Sequence, residues 1–440
     1  MSEPVKSRTA SRLLGVDATR GVALLGMMAV HSLFESNPDG SPTWSFAVFG
    51  GRAAATFAVL AGVGIAFMTG RARVKARDAG PTAAALGARA LVVLLIGLVI
   101  GYADAALGAV ILPYYAVLFV LAIPLVYLPT WAIAVAGVAV AGGVPALSHV
   151  LLAHLPAATL ENPTFGYLFH HPIALLSELS LTGEYPAVPW LAYLCAGLVI
   201  GRLNLARVKV AFALLVSGVV MAMGAVIASS ELLNRMGGLA HIWAAQPRSV
   251  LTIPETSEML RLGGDGTVPT SSWWWLATNA PHTSTPPDLI GTIGSATGLL
   301  GLFLLLGHVT KPGWRQVIAV VRAPLAAAGS MTLTLYTAHI MFLNSDYDVY
   351  DSTTGYILQV AAALLIGLAW RATAGRGPLE SLVSAAAKRA RRWASRRRTR
   401  PAPPASVSRL PDGWRPSPFP RGPDGLPKRA DNEALARESS

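Results

Sequence analysis

Charged residues are scarce in this 440-residue chain: they make up 13% of the sequence, whereas hydrophobic residues make up 53%. Soluble globular domains carry roughly 25% charged residues, so this composition cannot cover a water-facing surface. Cys195 is the only cysteine, which excludes an intramolecular disulfide and a thiolate metal cluster. P-loop, dinucleotide-binding and Gly-x-Ser-x-Gly motifs are also absent. The composition therefore indicates an integral membrane protein.

Ten apolar segments approach the length of about 20 residues that a helix needs to cross the hydrocarbon core of a bilayer. We therefore predict an all-α polytopic membrane protein of about ten transmembrane helices. The segments are 17–34, 50–69, 84–103, 107–127, 130–150, 187–201, 207–228, 287–308, 319–343 and 354–373.

Positive charges cluster before the first segment and after the second, sixth and eighth segments. The opposite connections are poor in positive charge, and residues 151–186 contain no Lys or Arg. Because cytoplasmic connections carry the excess of Lys and Arg, both termini are predicted to be cytoplasmic. Abundant Ala, Gly and Arg favour a bacterial source, hence a plasma membrane. The charges are Lys6, Arg8, Arg12, Arg71, Arg73, Lys75, Arg77, Arg202, Arg207, Lys209, Lys311, Arg315 and Arg322.

The net charge of +12 lies mostly at the C-terminal end, where residues 378–440 contain 14 Lys/Arg and 6 Asp/Glu. A basic run directly after the last apolar segment favours binding to anionic lipid. Nucleic-acid binding is not expected, because no fold able to read bases is visible. A homo-oligomer is left open. The predicted organisation is a membrane domain over 1–376 with long outer loops 151–186 and 229–286, an amphipathic basic surface helix over 377–395, and a disordered tail over 396–440.

Three successive tryptophans, Trp273–Trp275, lie in the second long outer loop. Tryptophan is typical of the membrane interface, where its amphipathic ring lies at the depth of the lipid headgroups. A platform on which a sugar ring stacks is the alternative. The sequence leaves both interpretations open.

Ionisable residues inside transmembrane segments are costly and therefore informative. Asp17 and Arg20 stand three residues apart on one face of the first helix, so they form either a salt bridge or, through Arg20, a phosphate site. His31 and His339 are expected toward the outer ends of the first and ninth segments. A neutral imidazole can take a proton from an attacking hydroxyl or amine. At least one of the two histidines is a candidate catalytic base, and a purely structural role is the alternative.

Further polar and aromatic residues are expected near the same outer level and form a candidate outer pocket. The sequence predicts their depth in the membrane but not the direction in which they point. No metal site is predicted, because the adjacent His170 and His171 point in different directions. The pocket residues are Asp17, Arg52, Asp104, Tyr114, Tyr115, Glu184, Tyr185, Trp190 and Tyr336.

Four segments resemble the heparan-α-glucosaminide N-acetyltransferase-like family of bacterial membrane proteins, also called the YeiB-like group. Arg12-Leu-Leu-Gly-Val-Asp17-Ala-Thr-Arg20-Gly resembles the family's opening helix, and Gly50-Gly-Arg52 running into Phe57-Ala-Val-Leu-Ala-Gly62 resembles its second helix. Thr182-Gly-Glu184-Tyr-Pro-Ala-Val-Pro-Trp190 resembles the middle helix, and Gly329-Ser-Met-Thr-Leu-Thr-Leu-Tyr336 resembles a late segment.

This resemblance implies acyl transfer across a membrane, with acetyl-CoA or another acyl-CoA as donor substrate and no bound cofactor. The acceptor would be a cell-envelope glycan or glycolipid, and Arg20, Arg71 and Arg73 would attract the donor phosphates. In the lysosomal enzyme of this family the catalytic histidine lies in the loop after the first helix. Here residues 32–50 contain no histidine, and His31 ends the helix instead. A transporter or flippase, and a non-catalytic scaffold, are the alternative functions.

Overall fold

In a computed structural model of the chain, the backbone is described over residues 4–399 and the side chains over residues 14–396. The described part is α-helical and contains no strand beyond one isolated bridge between Ser36 and Pro42. The first compact unit ends at Ser395. The side chains of Lys6, Arg8 and Arg12, and the predicted tail beyond residue 399, lie outside the described residues.

Seventeen α-helices follow one another within the described residues, numbered here in chain order. Two five-residue π-helical turns, Glu178–Thr182 and Glu231–Arg235, directly follow the eighth and the tenth of these helices. The helices are α1 Pro4–Ser32, α2 Trp44–Phe49, α3 Arg52–Met68, α4 Ala79–Ile100, α5 Leu112–Leu125, α6 Thr130–Leu151, α7 Phe165–His170, α8 Pro172–Ser177, α9 Ala187–Arg202, α10 Val208–Ser230, α11 Gly238–Ala245, α12 Ile253–Leu262, α13 Pro286–Leu306, α14 Pro312–Gly329, α15 Thr332–Leu343, α16 Ser352–Thr373 and α17 Pro378–Thr399.

Six helical stretches of the described chain are long and apolar enough to cross a membrane. The number is seven if α14 and α15, which meet at an angle of 75°, form one broken span. Each of the ten predicted segments overlaps a helix, but α5 and α9 are only 14 and 16 residues long. The chain is thus a multi-pass membrane protein, while the count of ten spans stays a prediction.

Small residues let α3 and α9 approach each other closely, as is common between membrane helices. Gly62 of α3 faces Gly197 of α9, and a Cβ atom built on Gly197 would lie 1.9 Å from the carbonyl oxygen of Val59. Each glycine stands ten residues after the first residue of its helix. The two helices therefore begin at the same level, which brings Glu184 and Tyr185, just before α9, beside the start of α3.

The C-terminal helix α17 has an apolar face and a basic face. Val383 and Ala387 are buried, whereas Lys388, Arg389, Arg391, Arg392 and Arg396 are exposed. The carboxylate of Glu380 accepts hydrogen bonds from the backbone N–H groups of Leu333 and Thr334 and from the Thr334 hydroxyl, at 2.7, 3.2 and 2.7 Å. Glu380 thereby caps the N-terminus of α15 and holds α17 against the helix that carries His339.

The three tryptophans of the long loop do not form a continuous aromatic surface. Trp275 is 1% exposed and belongs to a small core with Ile242 and Val268. Trp274 stacks on His241 with ring centroids 5.5 Å apart, whereas Trp273 is 57% exposed. Trp275 therefore serves as a core residue, because its ring is enclosed on all sides, and only Trp273 remains available to lipid or to a sugar.

Candidate active site between two cavities

A cavity of about 360 Å³ lies among α1, α3, α4, α5, α15 and α17, and we name it the basic-end cavity. Its volume is within the usual range of roughly 300–1,000 Å³ for small-molecule pockets. The guanidinium groups of Arg20 and Arg89 line it, and apolar side chains cover most of the remaining wall. The carboxylate of Glu380 also lines the cavity, but its oxygens accept hydrogen bonds from the N-terminus of α15. Two guanidinium groups in a mostly apolar wall favour a ligand that combines anionic groups with an apolar chain.

The two arginines of the basic-end cavity are held differently. Arg20 donates to the Asp17 carboxylate at 3.1 Å and to the carbonyl oxygen of Leu60 at 3.4 Å. Arg89 lies 5.6 Å from the centroid of the Phe119 ring, and its buried Nε atom has no hydrogen-bond partner in the described structure. The salt bridge predicted for Asp17 and Arg20 is therefore present, and Arg20 still reaches the cavity. Arg89 offers a donor that an anion could use.

A second, larger cavity of about 1,080 Å³ opens near the C-terminal end of α1, and we name it the acidic-end cavity. Nine carboxylates line it, and its lining among the described residues contains no Lys or Arg. Its negative charge disfavours anionic ligands, while its carboxylate oxygens can accept hydrogen bonds from hydroxyl or amine groups. The carboxylates are Glu35, Asp104, Glu161, Glu184, Glu255, Glu258, Asp265, Asp348 and Asp351.

The two cavities share the lining residues Met27, His31, Ala54, Ala109 and Tyr185. His31 is the only one of these five with an imidazole, a side chain that in its neutral form can accept a proton from an attacking group. Eleven residues separate it from Arg20 along α1, which corresponds to about 16 Å of helix axis. A ligand that enters the basic-end cavity and one that enters the acidic-end cavity can therefore meet beside this imidazole.

His31 is paired with the other histidine that the sequence singles out. Its Nδ1 atom lies 3.2 Å from Nε2 of His339, and the two rings are inclined by only 10° with centroids 5.3 Å apart. The Nδ1 atom of His339 lies 2.5 Å from the Oε1 atom of Gln359, on α16. Helices α1, α15 and α16 thus bring together three polar side chains that are far apart in the sequence.

Glu184 stands at the wall of the acidic-end cavity, in the loop before α9. Burial raises the pKa of its carboxyl group to about 7, and the neighbouring charges of Asp265 and Glu35 add to the rise. His282, in the loop before α13, lies with its ring 5.4 Å from that of Tyr185. Burial lowers the pKa of His282 to about 4. Near neutral pH, Glu184 therefore exchanges a proton readily, whereas His282 is uncharged.

Several residues predicted for the outer pocket lie at the two cavities or directly behind them. Asp104, Glu184 and Tyr185 line the acidic-end cavity, whereas Tyr115, Tyr336 and again Tyr185 line the basic-end cavity. The rings of Tyr114 and Trp190 pack edge-on against Tyr185, at 5.5 and 5.3 Å between centroids. Tyr114 and Trp190 line neither cavity and pack against Tyr185, which borders both.

Four predicted residues lie elsewhere. Asp17 pairs with Arg20 toward the basic end of α1, so its assignment to the outer pocket is wrong. Arg52 donates to the carbonyl oxygen of Ala47 at 2.6 Å and lines a separate cavity of about 280 Å³. Arg71 and Arg73 do not line the basic-end cavity. The Arg71 guanidinium lies 4.8 Å from the centroid of the Phe67 ring, and Arg73 donates to the carbonyl oxygen of Tyr127 at 2.6 Å.

Sequence reasoning missed Arg89, Gln359, Glu380 and His282. Arg89 carried a usable signal, because it is a full charge inside the apolar segment 84–103. Gln359 and Glu380 carried a weak signal, since their importance depends on partners in other helices. His282 lies in the long outer loop 229–286, as does Asp265, and that loop matched no known pattern.

A family model for heparan-alpha-glucosaminide N-acetyltransferase, catalytic, matches residues 12–233 of the chain. This match covers half of the 440 residues. The chain belongs to this family. The matched region runs from α1 to the end of α10 and contains Arg20, His31, Arg89 and Glu184. No curated protein matches the sequence.

Family membership makes this multi-pass membrane protein acetyltransferase-like. His339 and Gln359 lie in α15 and α16, beyond the matched region. The residues that support His31 from behind therefore come from the half of the chain that the family match does not cover.

Proposed function

We propose that the protein is an acyltransferase that uses an acyl-CoA, in the simplest case acetyl-CoA, and acylates a cell-envelope glycan or glycolipid across a bacterial plasma membrane. The observation that carries this proposal is the junction at His31, where a cationic cavity meets an acidic one. The ten-span topology with cytoplasmic termini belongs to the proposal, because it turns the basic-end cavity toward the cytoplasm.

The donor would occupy the basic-end cavity. Coenzyme A combines phosphates with a long, uncharged arm that ends in the thioester. Arg20 and Arg89 are suited to the phosphates, because a guanidinium binds phosphate oxygens through paired hydrogen bonds. The apolar lining residues, among them Val93, Ile111 and Leu112, suit the uncharged arm. The acyl carbon would then lie next to His31.

The acceptor would enter through the acidic-end cavity and place its hydroxyl or amine beside His31. The imidazole takes the proton of the acceptor as its oxygen or nitrogen attacks the thioester carbonyl. A bond forms between the acceptor atom and the acyl carbon, and the carbon–sulfur bond breaks. The same proton passes from His31 to the departing thiolate, which leaves as free coenzyme A.

His31→Ala tests the catalytic role of this imidazole. A positioned base typically contributes about 10²–10⁴-fold to a rate, so the variant should lose acyl transfer by about that factor. Transfer of labelled acetyl groups to membrane glycans is measured in inverted membrane vesicles supplied with labelled acetyl-CoA. His154→Ala, which changes an exposed loop histidine outside both cavities, is the matched control. An unchanged rate in His31→Ala removes this residue from the mechanism.

A transporter is the second candidate function, favoured by the bend of 75° between α14 and α15. Broken helices near the middle of the membrane are typical of secondary transporters. Labelled acetyl-CoA binding to the detergent-solubilised protein separates the two candidates. Binding that weakens in Arg89→Gln supports the acyltransferase, whereas export of an envelope precursor from liposomes without any acyl donor supports the transporter.

A further inference from the structure

Two further side chains continue from His31 in a short hydrogen-bonded row. The two imidazole rings are nearly parallel, and their centroids are farther apart than their facing nitrogens by about two ring radii. The rings therefore meet edge to edge in nearly one plane, which is the geometry of an N–H···N hydrogen bond rather than of a face-to-face stack. Gln359 continues the row on the far side of His339.

The three residues differ in their access to ligands. His31 lines both cavities, and Gln359 reaches the wall of the acidic-end cavity. His339 lines neither cavity and is 3% exposed. A substrate can therefore touch His31, whereas His339 can act only through His31.

With the Oε1 atom of Gln359 toward His339, the row sets which nitrogen of each ring carries a proton. A glutamine oxygen only accepts hydrogen bonds, so the Nδ1 atom of His339 must be the donor toward Oε1 of Gln359. Neutral His339 then has an unprotonated Nε2 atom, which accepts from Nδ1–H of His31. The remaining nitrogen of His31, Nε2, consequently carries a lone pair. No described residue forms a hydrogen bond with it.

We propose that Gln359 and His339 are positioning residues that hold His31 in the tautomer with a basic Nε2 atom. The proposal deepens the proposed function and rests on it for its kinetic consequences, but the tautomer itself can be measured without any reaction. It assigns the catalytic contact to His31 alone. It also assigns a role to α16, which lies outside the region matched by the family.

The opposite arrangement is chemically distinct. If the amide of Gln359 were rotated by half a turn, its NH₂ group would donate to Nδ1 of His339. His339 would then donate from Nε2 to Nδ1 of His31, and His31 would carry its proton on Nε2. Such a histidine could not take a proton from the acceptor. The orientation of one amide therefore decides whether His31 starts the reaction as a base.

The direct test is ¹⁵N NMR of the full-length protein, labelled at histidine and embedded in nanodiscs. Protonated and unprotonated imidazole nitrogens have well-separated shifts, and the spectra of His31→Asn and His339→Asn assign the two rings. The expected result is an unprotonated Nε2 atom in His31 and an unprotonated Nε2 atom in His339. A proton on Nε2 of His31 in the wild-type protein overturns the proposal.

Two variants of Gln359 extend the test. Gln359→Glu keeps an acceptor beside His339 and should preserve the tautomer, whereas Gln359→Leu removes it and should leave His31 in a mixture of tautomers. Gln316→Leu, at an exposed position of α14, is the matched control. A His31 tautomer that stays unchanged in Gln359→Leu contradicts the proposal. Thermal unfolding of each variant shows that the comparison is made between folded proteins.

Kinetics supply the second readout. Gln359→Leu should lower kcat by about 10- to 100-fold, because part of the histidine is then in the unproductive tautomer. The KM for acetyl-CoA should stay the same, since Gln359 does not line the basic-end cavity. Gln359→Glu should recover most of the rate. If the wild-type protein transfers no acyl group, the proposed function fails while the NMR result still decides the proposal on Gln359.

Discussion

Glu184 should make the protein less stable as the pH rises toward and above neutrality. Its pKa is raised from 4.5 to about 7 in the folded protein, mainly by burial. Between these two pH values the folded protein holds a proton that the unfolded chain has lost. The free energy of unfolding therefore falls as the pH rises through this window. The full difference corresponds to about 3 kcal/mol at about 1.36 kcal/mol per pKa unit, which is an upper bound.

Replacing Glu184 with Gln removes the ionisation and keeps the size of the side chain. We expect Glu184→Gln to be more stable than the wild-type protein at pH 8 by about 1–3 kcal/mol and nearly equal to it at pH 4.5. Thermal unfolding in nanodiscs at several pH values measures the difference. Parallel pH profiles for the wild-type and variant proteins would refute the assignment of a raised pKa to this carboxyl group.

Glu255, on the same cavity, provides a control of opposite sign. The backbone N–H and hydroxyl groups of Thr252 donate to its carboxylate and lower its pKa. A carboxylate with a lowered pKa contributes stability above its unfolded pKa and loses it as the pH falls. Glu255→Gln should therefore destabilise the protein at pH 8, where Glu184→Gln stabilises it.

Two further predictions concern the basic-end cavity. Glu380→Ala should lower the free energy of unfolding by about 2 kcal/mol, because α15 loses its cap and α17 loses three hydrogen bonds. Thermal unfolding measures the loss of stability, and limited proteolysis measures the release of α17. Arg89→Gln should raise the KM for acetyl-CoA about tenfold and leave kcat unchanged. The factor corresponds to the free energy of roughly one charge-assisted hydrogen bond to the donor. Arg73→Gln is its control, because that guanidinium is engaged with the carbonyl oxygen of Tyr127, and an equal effect of both changes would contradict the assignment of the donor to this cavity.

The helices could be predicted from the sequence because each apolar run is a local property. Every predicted segment overlaps a helix of the structure. The break between α14 and α15 was not predicted, although Gly329 and Ser330 interrupt the ninth segment. Apolarity continues through both helices, and only the packing of their neighbours shows the angle of 75° between them.

The sequence could predict that the two histidines lie at a similar level, but it could not predict their contact. A position along a helix follows from counting residues at 1.5 Å each, whereas the side that faces a neighbour depends on how all the helices pack. His31 and His339 are 308 residues apart in the sequence, so no local pattern relates them. Gln359 was missed for a related reason. A neutral amide in an apolar segment is unremarkable until its partner is known.

The two cavities carry opposite charge, and this difference could direct each of two substrates to a different side of the same imidazole. The proposed donor, acyl-CoA, carries several negative charges, so the carboxylates of the acidic-end cavity would repel it while Arg20 and Arg89 would attract it at the opposite end. A glycan without phosphate cannot form an ion pair with the two guanidinium groups, whereas its hydroxyl groups can donate to carboxylates. On the proposed function, each cavity would therefore disfavour the substrate assigned to the other. His31 and Tyr185 border both cavities, and the hydrogen-bonded row from His31 through His339 to Gln359 supports the imidazole from helices α15 and α16.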